Sequence, residues 1–156
     1  MVIPVRCDTR PETEMNPIQI VIDTNVMVSA VRSKTGASYA LLEMLGDPRW
    51  KMNISTALIL EYEEQLKKEY VRQGLELHYA DDILDVVVLA SNHRGIFFKW
   101  RPVLRDPSDD FLVELAVASG SDFIVTYNIR DFIQAERLGV NTIRPAAFLR
   151  LLEKMQ

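Results

Sequence analysis

Three well-separated stretches of the chain place carboxylates where turns are expected. Asp23 stands in Ile22-Asp23-Thr24-Asn25, Asp109 and Asp110 close the run Asp106-Pro107-Ser108-Asp109-Asp110, and Asp131 ends Asn128-Ile129-Arg130-Asp131. Glu61 joins them for a different reason. Glu63 and Glu64 each have a lysine four residues on, Lys67 and Lys68, whereas Glu61 has Gln65 there and lacks that helical partner. Carboxylate oxygens gathered at one place are hard ligands and suit Mg²⁺ or Mn²⁺ better than ions that prefer nitrogen or sulfur. Metals held this way activate water and stabilise charge on phosphoryl oxygens. Competing chemistries lack their residues: Cys7 is the single cysteine, His78 and His93 are the only imidazoles, and neither a Ser-His-Asp set nor a Gly-rich phosphate loop is present.

Each acid also has an ordinary structural reading. Asp23 could cap a helix, Glu61 could be a solvated surface charge, and Asp131 could cap the segment that follows it. Ser108 as N-cap with Asp109 and Asp110 in the first turn would complement a helix dipole by about 0.3–1 kcal/mol each. What separates the readings is whether the fold carries the acids to one edge.

The elements can be read from periodicity. Ile18 to Ile22 is a β-branched run that feeds a turn at Asp23. Helices are expected over Asn25–Val31 and Ala37–Leu45, with the loop Arg32–Gly36 between them and Gly46, Asp47 and Pro48 closing the second. Met52–Ile54 should be a second strand, and Ser55 should cap a helix reaching Val71. Ile83, Val86, Val87 and Ala90 recur at helical spacing within a helix over Tyr79–Ser91 that Gly95 follows. Ile96–Phe98 reads as a weak third strand and Arg101–Ser108 as a Pro-bearing loop. Then come an apolar helix Asp109–Ser119 stopped by Gly120, a strand Phe123–Thr126, a short helix Phe132–Leu138, a strand Val140–Ile143 and a helix Ala146–Lys154. Strands that alternate with helices build a parallel sheet covered on both faces, and its functional crevice lies outside the carboxyl ends of the strands. The acids at 23, 109–110 and 131 all fall at such ends or at helix starts near them.

At 156 residues the chain has the length of one ordinary domain. Hydrophobic residues at 48% and charged residues at 26% exclude disordered, collagen-like and coiled-coil classes. Residues 1–17 carry Pro4, Pro11 and Pro17 without core periodicity and read as a flexible N-terminal arm, leaving 18–156 as the domain. No apolar run reaches the roughly 18–20 residues that span a bilayer, and Met1 to Pro17 has no continuous apolar core, so a cytoplasmic protein without a membrane partner is expected. The net charge of -4 argues against a surface that coats nucleic acid. It does not argue against a nuclease, because a site of four carboxylates is itself negative and divalent cations reverse that locally.

Taken together, four segments resemble the PIN-domain nucleases over nearly all of Ile18 to Leu152. Ile22-Asp23-Thr24-Asn25 is similar to the family's first acidic motif and Leu60-Glu61-Tyr62 to its second. Asp109, seven residues before Ala116, resembles the third acid, and Val125-Thr126 resembles the family's strand-end Val-Thr. The resemblance implies an α/β fold, a PIN-like three-layer α/β/α arrangement around a mainly parallel sheet of about five strands. It implies a Mg²⁺- or Mn²⁺-dependent endoribonuclease in which Asp23, Glu61 and Asp109 hold the metal. Thr24, Asn25, Asp110 and Thr126 stand behind these ligands, and Arg32 and Lys34 are candidate RNA contacts. The chain departs from the family at Asn128, where many members have Asp, so the fourth ligand is either Asn128 or Asp131.

The nearest subgroup is that of toxin components of toxin-antitoxin pairs, which implies a cognate antitoxin and a homodimer as partners beside the RNA substrate. A PIN-like scaffold that binds proteins without cutting RNA is the alternative, favoured if Asn128 has removed the metal. Phosphotransfer domains also use an Asp after the first strand. The dehalogenase type wants a second Asp where Asn25 stands, and the receiver type needs a late strand-end Lys that is not found.

Overall fold

The computed structural model describes residues 16–96 and 109–155. Residues 1–15, which make up most of the N-terminal arm, and the loop Arg101–Ser108 lie outside the described residues, as does the larger part of the strand expected over Ile96–Phe98. β1 (Ile18–Ile22) is the middle strand, and its last three residues are fully buried. Around it β2 (Trp50–Ile54), β3 (Ser91–His93), β4 (Phe123–Val125) and β5 (Asn141–Ile143) complete an all-parallel sheet in the order β3-β2-β1-β4-β5. Among the described residues six α-helices make the α/β/α layers: α1 (Thr24–Arg32), α2 (Ala37–Glu43), α3 (Thr56–Gln73), α4 (His78–Ala90), α5 (Asp110–Ser119) and α6 (Pro145–Glu153). A 3-10 helix over Ile129–Leu138 links β4 to β5.

Alternation along the strands explains the two faces. Ile18 pairs with Trp50 and Ile20 with Phe123, so these side chains share one face. There Phe148 of α6 meets Trp50 and Phe123 edge-on, with ring centroids 6.0 and 6.3 Å apart. The opposite face carries Val21 and Ile124, and also the fully buried Asn53. Asn53 is tolerated because its amide is used on every side. Its Nδ2 donates to Gln19 Oε1 at 2.9 Å and to Ser121 Oγ at 3.4 Å, while its Oδ1 accepts from Arg94 Nε at 3.0 Å and Asn92 Nδ2 at 3.3 Å.

That network also explains a correction. The third strand of the described sheet lies at Ser91–His93, where no strand was expected, immediately after a helix that ends at Ala90 rather than Ser91. Ser-Asn-His has no apolar signature. Pairing of Met52 with Ser91 and Ile54 with His93, reinforced by Asn92 and Arg94 reaching Asn53, makes a strand of it. The buried stripe of α4 is likewise Ala80, Leu84 and Val87, a different set from the expected one, and it leaves Val86 half-exposed and Leu89 on the surface. Elsewhere the punctuation holds. Ser55 Oγ caps α3 by accepting from Leu58 N at 3.2 Å, and α5 ends at Gly120, whose φ of +63° suits glycine. Among the described residues no helix is long and apolar enough to cross a membrane.

Candidate active site

The chain builds from β1 through β2 to β3 on one side, then returns to β4 on the other. Strand order therefore reverses between β1 and β4, and in open α/β sheets the ligand crevice lies outside the carboxyl ends at such a point. Asp23 occupies the end of β1 and Thr126 the end of β4. Backbone pairing continues past the strands to align them: Asp23 N–H donates to the Val125 carbonyl at 2.9 Å, and Thr126 N–H to that of Ile143 at 2.9 Å.

Asp23 stands at the N-cap position of α1 with extended backbone, yet its side chain makes no capping hydrogen bond. Instead its Oδ2 accepts a 2.7 Å bond from Thr126 Oγ1, between two residues that are both buried. The same threonine oxygen accepts from the Asn128 backbone N–H at 2.9 Å, so one hydroxyl ties the carboxylate to the segment after β4. Helix capping alone does not account for the bond to Thr126, which joins the ends of β1 and β4. Beside it, the Oγ1 of buried Thr24 finds no hydrogen-bond partner among the described residues.

Glu61 is half-buried in the second turn of α3. The next residue fixes that helix to the crevice: Tyr62, fully buried, donates from its hydroxyl to the Ile22 carbonyl at 2.5 Å. Burial, and secondarily the charge of Asp23, hold this phenol well above its usual pKa, so it stays a donor. Burial also raises the Asp23 carboxyl, opposed by the bond from Thr126 and by the N–H groups of Asn25 and Thr24, with Asp131 adding a like-charge push. Glu61 is raised by burial first, then by the charges of Glu64 and Asp23, with Lys68 opposing. Asp23 thus feels the charge of Asp131, and Glu61 feels that of Asp23.

The other expected site residues fall as follows. Asp109 is half-buried in the turn that precedes α5, and Asp110 opens that helix fully buried. Asn128 and Asp131 are exposed at the start of the 3-10 helix, and Asn25 is exposed in α1. Arg32 Nε donates to the buried Glu69 at 2.9 Å. Lys34 lines an apolar groove between α1–α2 and α3–α4. Among the described residues no three acids or imidazoles are gathered tightly enough to form a metal cage. Mutual repulsion of unneutralised carboxylates opposes such closeness.

Sequence reasoning missed two residues that shape the site. Tyr62 was visible only as a neighbour of Glu61, and Tyr127 as part of the segment after β4. The sequence matches the PIN domain over residues 19–130. The chain belongs to the PIN domain family. PIN domains are generally nucleases, which makes this a hydrolase fold at the coarse level. The matched PIN region takes in Asp23, Glu61, Asp109 and Asn128 and ends one residue before Asp131. No curated protein matches the chain.

Proposed function

We propose that this PIN domain is a metal-dependent endoribonuclease that hydrolyses RNA phosphodiester bonds. One observation carries the reading: at the point where strand order reverses, a buried Asp23 is bound by Thr126 from the neighbouring strand end, feels the charge of Asp131 and acts in turn on Glu61. The donor chemistry of these residues suits a divalent cation. The donors are oxygens, burial raises both the Asp23 and the Glu61 carboxyl with Lys68 opposing only at Glu61, and the Thr24 hydroxyl, without a partner among the described residues, supplies a further oxygen nearby.

Asp23, Glu61 and Asp109 would hold Mg²⁺ or Mn²⁺, with Asp131 or Asn128 completing the set. When bound, the ion supplies acidity to water and positive charge to the phosphoryl oxygens. The chain's own part is orientation. Thr126 fixes one oxygen of Asp23, Tyr62 fixes the backbone just before it, and Thr24, Asn25 and Asp110 stand behind the ligands. Arg32 remains more than half exposed despite its pairing with Glu69, and Lys34 is exposed, so both can meet phosphates.

The same reading assigns the protein to the cytoplasm as the toxin of a toxin-antitoxin pair, with an antitoxin and a second copy of itself as partners, and residues 18–156 as the nuclease domain. Purified protein should cleave single-stranded RNA with Mg²⁺ or Mn²⁺ and stop on addition of chelator. Its expression should arrest growth, relieved by co-expressing a small DNA-binding protein encoded beside it. Intact RNA in the presence of either metal would favour the non-cutting scaffold instead.

A further inference from the structure

Tyr127 lies between the two residues that lock the crevice. Thr126 holds Asp23, and the Asn128 backbone closes back onto Thr126. Despite that position its side chain is not part of the core: it is 38% exposed. Its tip is nevertheless fixed. The phenol oxygen shares a 2.5 Å hydrogen bond with Oγ of Ser38, a residue of α2 that is 1% exposed and 89 positions away in sequence. Backbone at one end and hydroxyl at the other restrain this aromatic ring, one residue beyond the threonine that holds Asp23, before any ligand arrives. Restraint of this kind removes the ordering entropy that binding would otherwise have to overcome.

We propose that Tyr127 is a base-stacking platform for single-stranded RNA at the crevice, an inference that rests on RNA being the substrate. The surrounding charge favours that occupant. Asp23, Glu61 and Asp131 repel phosphates until a cation is present, and the chain carries a net charge of -4, so backbone attraction is a poor source of affinity here. Stacking works without it, because every base offers a π-face, and it tolerates any sequence.

The test measures binding of a short fluorescein-labelled single-stranded RNA by anisotropy in chelator, and cleavage separately in Mn²⁺, for wild type, Tyr127→Leu, Tyr127→Phe and Ser38→Ala. Tyr127→Leu should raise Kd at least about fivefold, the low end for loss of one stacked base. In the cleavage assay KM should rise by a similar factor with kcat little changed. Tyr127→Phe keeps the ring and should lose less, and Ser38→Ala should match it, since each removes the same hydrogen bond. An RNA of equal length with abasic positions needs no variant: wild type should bind it at least about fivefold more weakly. Equal affinity of Tyr127→Leu and wild type, or of the abasic and normal RNA, overturns the proposal and gives the ring to another surface, such as a protein contact. Wild type that binds RNA through Tyr127 yet fails to cut it sustains the platform and overturns only the nuclease reading. Wild type that neither binds this RNA in chelator nor cuts it in Mn²⁺ overturns both.

Discussion

Asp23 is destabilising to the fold in its charged form and useful for the same reason. A carboxyl whose folded-state pKa lies above its unfolded value binds protons more tightly when folded, so stability falls as pH rises through that window. Asp23 and Glu61 are both shifted upward from 3.8 and 4.5, chiefly by burial. In metal-free buffer at pH 7, Asp23→Asn should therefore melt at or above wild type. The gap should close as pH drops below about 4, where the free carboxyl is largely protonated in both states. Thermal melts across pH check this, and a mutant clearly less stable at pH 7 would mean that the ionised carboxylate is a net stabiliser. Asn128 and Asp131 are separable at the same scale. Asp131 is the acid that Asp23 senses, whereas the backbone of Asn128 is committed to Thr126. Calorimetric titration with Mg²⁺ should find affinity weakened in Asp131→Asn. An affinity that responds to Asn128→Asp but not to Asp131→Asn would give the fourth position to residue 128.

Between elements, two polar clusters hold what apolar packing leaves unspecified. Glu69 of α3 is buried and accepts from Arg32 of α1 and from Arg72 and Gln73 of its own helix, which lowers its pKa to about 2, with Arg72 the largest cause. Its contribution is fully present above about pH 4.5 and fades as pH falls toward 2. Both arginines are more than half exposed, so solvent weakens the pairing, and Glu69→Gln should cost about 1–2 kcal/mol. That is roughly 2–8 °C in Tm for a chain of this size. Asn53→Ala should cost about 1–3 kcal/mol, because it leaves Gln19 and Asn92 short of a partner. A Tm within error of wild type would show the network to be incidental. These clusters mark where sequence reading ran out. Apolar runs such as Ile18–Ile22, the cap at Ser55 and the stop at Gly120 depend on neighbours a few residues away and were legible. The strand Ser91–His93 depends on an asparagine in another strand, and Glu69 on an arginine in another helix. Local pattern carries no trace of either.

For the molecule as a whole, topology does what no single motif can. The reversal of strand order beside β1 brings Asp23 and Thr126 within hydrogen-bond reach across 103 positions of sequence. Asp23, Asp109, Asp110 and Asp131 were visible because each follows an apolar strand or opens a helix, and Glu61 because it lacks a lysine four residues on; the locking role of Tyr62 and the fixed ring of Tyr127 were not, since both depend on partners far along the chain. Removal of Met1 to Glu14, which has no core periodicity, should leave the melting temperature and cleavage rate close to those of the full chain. A large loss in either would show that Val2, Ile3 and Val5 dock on the domain or on a second copy. The central claim is that the crevice acids hold a divalent ion that serves RNA cleavage. Calorimetric titration of Mn²⁺ into wild type and Asp23→Asn tests it most directly, with single-stranded RNA cleavage read on the same samples. The account predicts saturable binding and cleavage by wild type, and at least about a tenfold loss of affinity with no cleavage in the mutant. Equal Mn²⁺ affinity in the two proteins, or an Asp23→Asn protein that still cuts RNA, would contradict it.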